Sequence, residues 1–120
     1  MSNEKESKPI ITYNDFLKLD IRIGKVIEAE SIPKSRNLLK FKVDIGEEKP
    51  RQILGGFSKF FTPEEMLGKK VVVLVNLKPR KMMGFESQGM ILAADVDDKP
   101  FLLQVLEKDQ DDVPIGAIVR

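Results

Sequence analysis

The sequence predicts an all-β fold with small helical content: a five-stranded barrel in Greek-key order, with a short helix between strands three and four and a C-terminal extension. Three observations carry this expectation. Apolar and polar residues alternate through residues 19–30 and 39–45, the period of strands with one buried face. Residues 71–75 and 90–94 are continuous apolar runs, the first rich in β-branched side chains, as in deeply buried strands. Between strands three and four, residues 62–68 form a helix written by its ends. Thr62 is the N-cap, Pro63 occupies the first position, Glu65 completes a capping box and Gly68 stops it.

Each element follows in order. Residues 1–9 are polar and charged and end at Pro9, so a disordered arm is expected over 1–11, with the folded domain spanning 12–120. Thr12 and Asp15 form a capping pair for one helical turn, which Tyr13, Phe16 and Leu17 would pack onto the barrel or a partner chain. In the first strand Leu19, Ile21 and Ile23 point inward, and Asp20 and Arg22 outward. The phase shifts after Gly24, and a glycine within a strand marks a bulge or bend. A long first strand bent there serves both sides of a small closed barrel. Residues 31–38 form a loop around Pro33. Leu39, Phe41, Val43 and Ile45 then point inward from strand two. Strand three covers 51–54 and ends at Gly55-Gly56, which frees the chain to turn. Strands four and five cover 70–75 and 88–94. Two short apolar runs, 101–106 and 117–119, follow on either side of an acidic turn and Pro114. Three strands, a short helix and two strands is the element order of the OB barrel. Other small barrels have a similar strand count without needing the helix.

Composition narrows the chemistry. A chain of 120 residues is one domain by length and can bury a core without staples. It contains no cysteine and no histidine, which removes disulfides, thiolate chemistry, the commonest general base and the commonest transition-metal ligand. Neither a cofactor nor a metal is expected. No apolar stretch reaches the ~18 residues of a membrane span, and the charged N-terminus is unlike a secretory signal, so a cytoplasmic location is expected.

The net charge of +1 hides a segregation. Residues 31–42 carry Lys34, Arg36, Lys40 and Lys42 without an acid. Residues 69–81 carry Lys69, Lys70, Lys78, Arg80 and Lys81 without an acid. Residues 95–112 carry seven acids against Lys99 and Lys108. A local basic face attracts phosphates on a nearly neutral protein, although scattered lysines also serve to solvate strand edges.

The strongest candidate site is the loop 76–87, where Lys78, Arg80 and Lys81 extend from a frame stiffened by Pro79, beside Met82, Met83 and Phe85. The same residues also describe a plain charged hairpin whose methionines fold into the core. The loop with Lys34, Arg36 and Asn37 lies where OB barrels contact oligonucleotides, or is an ordinary solvated turn. Asp95, Asp97 and Asp98 lack the spacing of a calcium loop. Glu64 and Glu65 are explained by helix capping.

The segments DIRIGKVIEAE, KFKVDIGEE, RQILGGF and above all VNLKPRKMMGFESQGMILAAD resemble the tRNA-binding domain of the OB class. That domain occurs at the C-terminus of bacterial methionyl-tRNA synthetases, as a free-standing dimeric tRNA-binding protein, and in a cytokine-like cofactor of multi-synthetase complexes. The resemblance implies structure-specific, largely sequence-independent tRNA binding without catalysis. It also implies a homodimer built through an extension at about 96–120, and association with methionyl-tRNA synthetase. Carried over by position, it assigns tRNA contacts to Asn76, Lys78, Lys81, Met82, Ser87 and Met90, and to Arg51 at the start of strand three. Lys34, Arg36, Asn37 and Arg80 add charge and polar contacts from the two loops. Where the family often has His-Pro-Asn-Ala-Asp-Lys-Leu, this chain has Ile32-Pro33-Lys34-Ser35-Arg36-Asn37-Leu38. A related dimeric OB protein, described as an export-associated chaperone, gives the competing expectation of a protein-interaction module with adaptable methionines.

Overall fold

A computed structural model describes residues 7–120. The expected disordered arm falls mostly on residues outside that range. After a short extended segment, α1 (Tyr13–Phe16) begins at Thr12, whose hydroxyl accepts from the Asp15 N–H while the Asp15 carboxylate accepts from the Thr12 N–H. The main sheet contains β1 (Ile21–Ser31), β2 (Leu39–Asp44), β3 (Arg51–Gly55), β4 (Lys70–Leu74) and β7 (Met90–Ile91), ordered β3-β2-β1-β4-β7. A hairpin of β5 (Arg80–Met82) and β6 (Phe85–Ser87) interrupts the path from β4 to β7. Beyond β7, β8 (Ala93–Val96) and β9 (Lys99–Leu102) form a second hairpin, and β10 (Ile118–Val119) returns to β1.

β1 is the hub. Its residues 21–25 pair with β4 and its residues 25–31 with β2, so Lys25 faces both Lys70 and Asp44. On the edge that β2 takes further along, Ile21 and Arg22 pair with Val119 and Ile118. The expected bend is present, but the bulge lies three residues past Gly24. Val26 pairs with Val43 and Glu28 with Lys42, leaving Ile27 as the extra residue, turned to solvent. Gly24 instead permits a close crossing. A Cβ there would stand 2.7 Å from Val43 Cγ1, so with any larger residue β2 could not approach β1 so closely. Leu19, expected inward, is instead exposed. It precedes the strand and closes the turn after α1 through its N–H to Phe16 O.

The core is the inward row of β2 (Leu39, Phe41, Val43 and then Ile45) against Val26, Ile53, Val71, Val73 and Ile91. Phe57 extends it, edge-on to Phe41 and to Phe61 with ring centroids 6.0 and 6.2 Å apart. α2 (Pro63–Met66) carries the expected Thr62–Glu65 capping box. Its Met66 is fully buried in the same core. Gly68 N–H bonds to Val26 O and Val26 N–H to Lys69 O, so the helix end is stitched to β1 at the bulge.

The fifth strand, expected as 88–94, is broken at Leu92 into β7 and β8. β7 stays with β4, while β8 leaves to pair with β9. The acidic tail after β9 is fixed by Lys70, whose ammonium donates to Glu107 Oε1 at 2.7 Å and Val113 O at 2.8 Å. Glu107 Oε1 also accepts from the Val113 N–H. Residues 115–119 then lie along this chain's own β1, with Gly116 N–H bonded to Ile23 O.

The hydrogen bond from Lys70, then that from the Val113 N–H, holds the Glu107 carboxyl below the ordinary glutamate range. A depressed folded-state pKa gives stability that is present above the unfolded value and lost as pH falls through the folded one. Lowering pH through the folded-state titration of Glu107 is therefore expected to loosen the tail from Lys70. A falling protection factor at the Val113 amide should report this, and Glu107→Gln should make that protection factor independent of pH over the same window.

Candidate nucleic-acid interface

The loop expected at 76–87 is built as a hairpin. Arg80, Lys81 and Met82 pair with Ser87, Glu86 and Phe85, and the two-residue turn Met83-Gly84 has φ of +53° and +82°. Both values are left-handed, the geometry of a type I′ turn that matches strand twist. The hairpin is laid onto the barrel. Lys40 Nζ sits 4.1 Å from the Phe85 ring centroid, and Gln52 Nε2 donates to Glu86 O at 2.9 Å.

Three of the expected contact residues have side chains bonded within the frame. Asn76 Oδ1 accepts from the Asp20 N–H and its Nδ2 donates to Lys18 O, tying the end of β4 to the start of β1. Ser87 is buried; its Oγ accepts from the Leu54 N–H at 3.0 Å and donates to Gly89 O at 3.0 Å. Arg51 donates to both carboxylate oxygens of Glu47 and to the carbonyls of Val75 and Gln88. The bond to Glu47 is the main reason the Arg51 guanidinium is raised and the Glu47 carboxyl lowered from their ordinary values. Together with Gln88 N–H to Gln52 O at 2.7 Å, these bonds close the barrel between β3 and the segment joining β6 to β7.

The other expected residues are available. Lys78, Arg80 and Lys81 are exposed and have no ion-pair partner among the described residues. Lys34, Arg36 and Asn37 lie in a loop held by its backbone, with Ser58 Oγ donating to Arg36 O and Ser58 N–H to Asn37 O. Lys34, Arg36 and Asn37 all keep their side chains at the surface. Lys40 and Lys70, counted in the two basic tracts, are instead paired with Glu30 and with Glu107 and Asp111.

A cleft of about 490 Å³ gathers the site. Lys78, Arg80, Met82, Ser87 and Met90 line it together with Leu38, Gly55, Gly56, Leu77 and Asp95. Leu38, the residue before β2, brings the end of the first loop to the same opening, because Leu39 pairs with Gly55. Gly56 and Leu77 were not among the expected contacts. Leu77 belongs to the Asn-Leu-Lys-Pro stretch and was legible as the apolar member of that loop. Gly56 carries no pattern of its own, since its meaning depends on what stands opposite. Among the described residues no group of three His, Cys, Asp or Glu side chains is placed to hold a metal ion, and no helix is long and apolar enough to cross a membrane.

The barrel, its closing hairpin and the cleft beside it define a binding domain of the OB type. Residues 21–117 match the family described as "Putative tRNA binding domain", and the chain belongs to that family, one of binding rather than catalysis. It is 59% identical over 115 residues to the methionine–tRNA ligase of Methanosarcina mazei, covering 96% of this chain and 16% of that enzyme. The chain thus spans about a sixth of the length of the curated relatives it matches. Among solved structures it is similar to a MetRS-related protein from Pyrococcus horikoshii, with TM-score 0.84 and 38% identity, covering 94% of this chain and 100% of that one. It is also similar to the chaperone CsaA from Bacillus anthracis, with TM-score 0.79 and 29% identity, covering 93% and 100%.

Removing the Ser87 hydroxyl strands the buried Leu54 N–H, so Ser87→Ala is expected to lower unfolding free energy by about 1–3 kcal/mol. Urea denaturation should show this, with Lys81→Ala as an exposed comparison staying within about 0.5 kcal/mol of the parent. Equal midpoints for the two variants would refute the closure role.

Proposed function

We propose that this domain binds tRNA through phosphate backbone and shape, largely without reading sequence. The observation that carries the reading is the trio Lys78, Arg80 and Lys81, free of ion pairs among the described residues, on the hairpin fixed to the barrel and the segment leading into it, beside an open cleft. A rigid frame presenting unpaired cations is what phosphate contacts require. Lys34 and Arg36 add charge from the loop that ends at the same cleft, and Met82 and Met90 offer apolar contact. Family membership, and the name of the Methanosarcina mazei relative, support tRNA as the RNA concerned. Asn76, Arg51 and Ser87 serve the reading indirectly, by holding the hairpin and closing the barrel.

The working form is a homodimer in the cytoplasm, acting alone or in association with methionyl-tRNA synthetase. Exposed apolar side chains at Val96, Phe101, Leu106 and Ile118 support a partner surface on the segment 96–120, while 12–120 folds as one unit. Two copies would present two basic hairpins and raise avidity for one RNA.

A second reading, a chaperone-like module for unfolded peptides, is favoured by the likeness to CsaA and by exposed Met83 and Met90. The two differ in salt response. Binding of unfractionated tRNA is expected to weaken steeply with salt. The double variant Lys78→Ala, Lys81→Ala should bind more weakly at every salt concentration and reduce the log–log slope by about 2. Undiminished tRNA binding by that variant, or salt-insensitive peptide binding without tRNA affinity, would remove the proposal.

A further inference from the structure

We infer that the cleft beside the hairpin receives a single unstacked RNA base, and that Gly56 is the residue that keeps its mouth open; this rests on the tRNA-binding reading above. Gly56 is singled out by elimination. Every other glycine has a reason within the fold, either a left-handed φ or a neighbour with no room for a Cβ. Gly56 has neither. Its φ is not positive, and a Cβ built on it meets nothing within 4 Å among the described residues. The turn after β3 therefore does not need glycine there, contrary to the expectation that the Gly55-Gly56 pair frees the chain to bend. It is Gly55 whose Cβ is blocked, by the Phe57 ring. A glycine at such a position sacrifices backbone entropy without return unless something approaches its backbone closely. Gly56 is exposed and lines the cleft, so that approach comes from outside the chain.

The lining selects the visitor. Met82 and Met90 supply thioethers, which favour the faces and edges of aromatic rings. Lys78 and Arg80 are the cations of the lining, and Asp95 is its acid. A phosphate seated in the cleft would meet the Asp95 carboxylate as well as Lys78 and Arg80. A neutral ring seated there does not oppose Asp95 and leaves its flanking phosphates to Lys78 and Arg80. A fully paired helix offers no such ring, so the cleft selects loops, bulges and ends, the elements that proteins read on RNA. The volume of about 490 Å³ lies within the roughly 300–1,000 Å³ typical of ligand clefts.

The test compares a fully paired RNA hairpin with the same hairpin carrying one bulged nucleotide, titrated against the full chain by fluorescence anisotropy at low salt. The parent protein should prefer the bulged RNA by about tenfold, a stacking-sized effect. Gly56→Val should reduce bulged-RNA affinity to that of the paired hairpin while leaving paired-hairpin affinity and Tm unchanged. Gly56→Ala, whose Cβ meets open space, should do so partially. Lys81→Ala should weaken both RNAs equally. Equal affinity of the parent for the two RNAs, or a preference that survives Gly56→Val, would overturn the inference while leaving phosphate-led binding standing. Absence of binding to either RNA would overturn both. Binding of a labelled apolar peptide that Gly56→Val abolishes, with RNA binding retained, would assign the cleft to protein and overturn it as well.

Discussion

A barrel this small cannot give every strand its own pair of neighbours along its whole length, and β1 meets that constraint by changing partners. β4 borders one edge of its first half, β10 the other edge at its start, and β2 that edge from Lys25 onward. The handover requires β1 and β2 to cross closely, which the missing side chain of Gly24 permits. It also requires a change of register, which the bulge at Ile27 supplies. The remaining structure hangs from this exchange. Pairing with β4 fixes Asn76 and the root of the basic hairpin, and pairing with β2 fixes the loop that holds Lys34 and Arg36.

Polar side chains around the cleft fall into two groups with opposite thermodynamic roles. Arg51, Ser87, Gln52 and Gln88 satisfy backbone groups where regular pairing fails, at the seam between β3 and the hairpin, and Asn76 does so between the end of β4 and the start of β1. Lys78, Arg80 and Lys81 are left without partners among the described residues a few positions away. Fixing the backbone with the first group means that a ligand meeting the second group orders side chains only, not the loop, and less entropy is lost on association.

The strands were legible wherever burial imposed a period. Leu39, Phe41, Val43 and Ile45 announce β2, and the capping boxes at Thr12 and Thr62 announce both helices. The β5–β6 hairpin was not legible as strands. Three residues per arm are too few to show alternation, and Met83-Gly84 lacks the Asn-Gly signature of a tight turn. Leu19 misled because periodicity extends past the point where pairing stops. In the site, charge marked Lys78, Arg80 and Lys81 correctly as exposed. It overcounted at Lys40 and Lys70, whose partners Glu30 and Glu107 are distant in sequence and invisible to local pattern. The seam role of Arg51 and Ser87 was hidden for the same reason.

The pairing of β10 with β1 joins segments from opposite ends of the folded chain. Its formation must wait for everything between, because the entropy of closing so large a loop is recovered only after the intervening barrel is in place. During synthesis, the edge of β1 at Ile21 and Arg22 therefore stays unpaired until residues 118 and 119 have emerged. An open strand edge is a template for pairing with other chains. In the folded chain the tail bonded to Lys70 holds residues 118 and 119 near that edge, which β10 then covers.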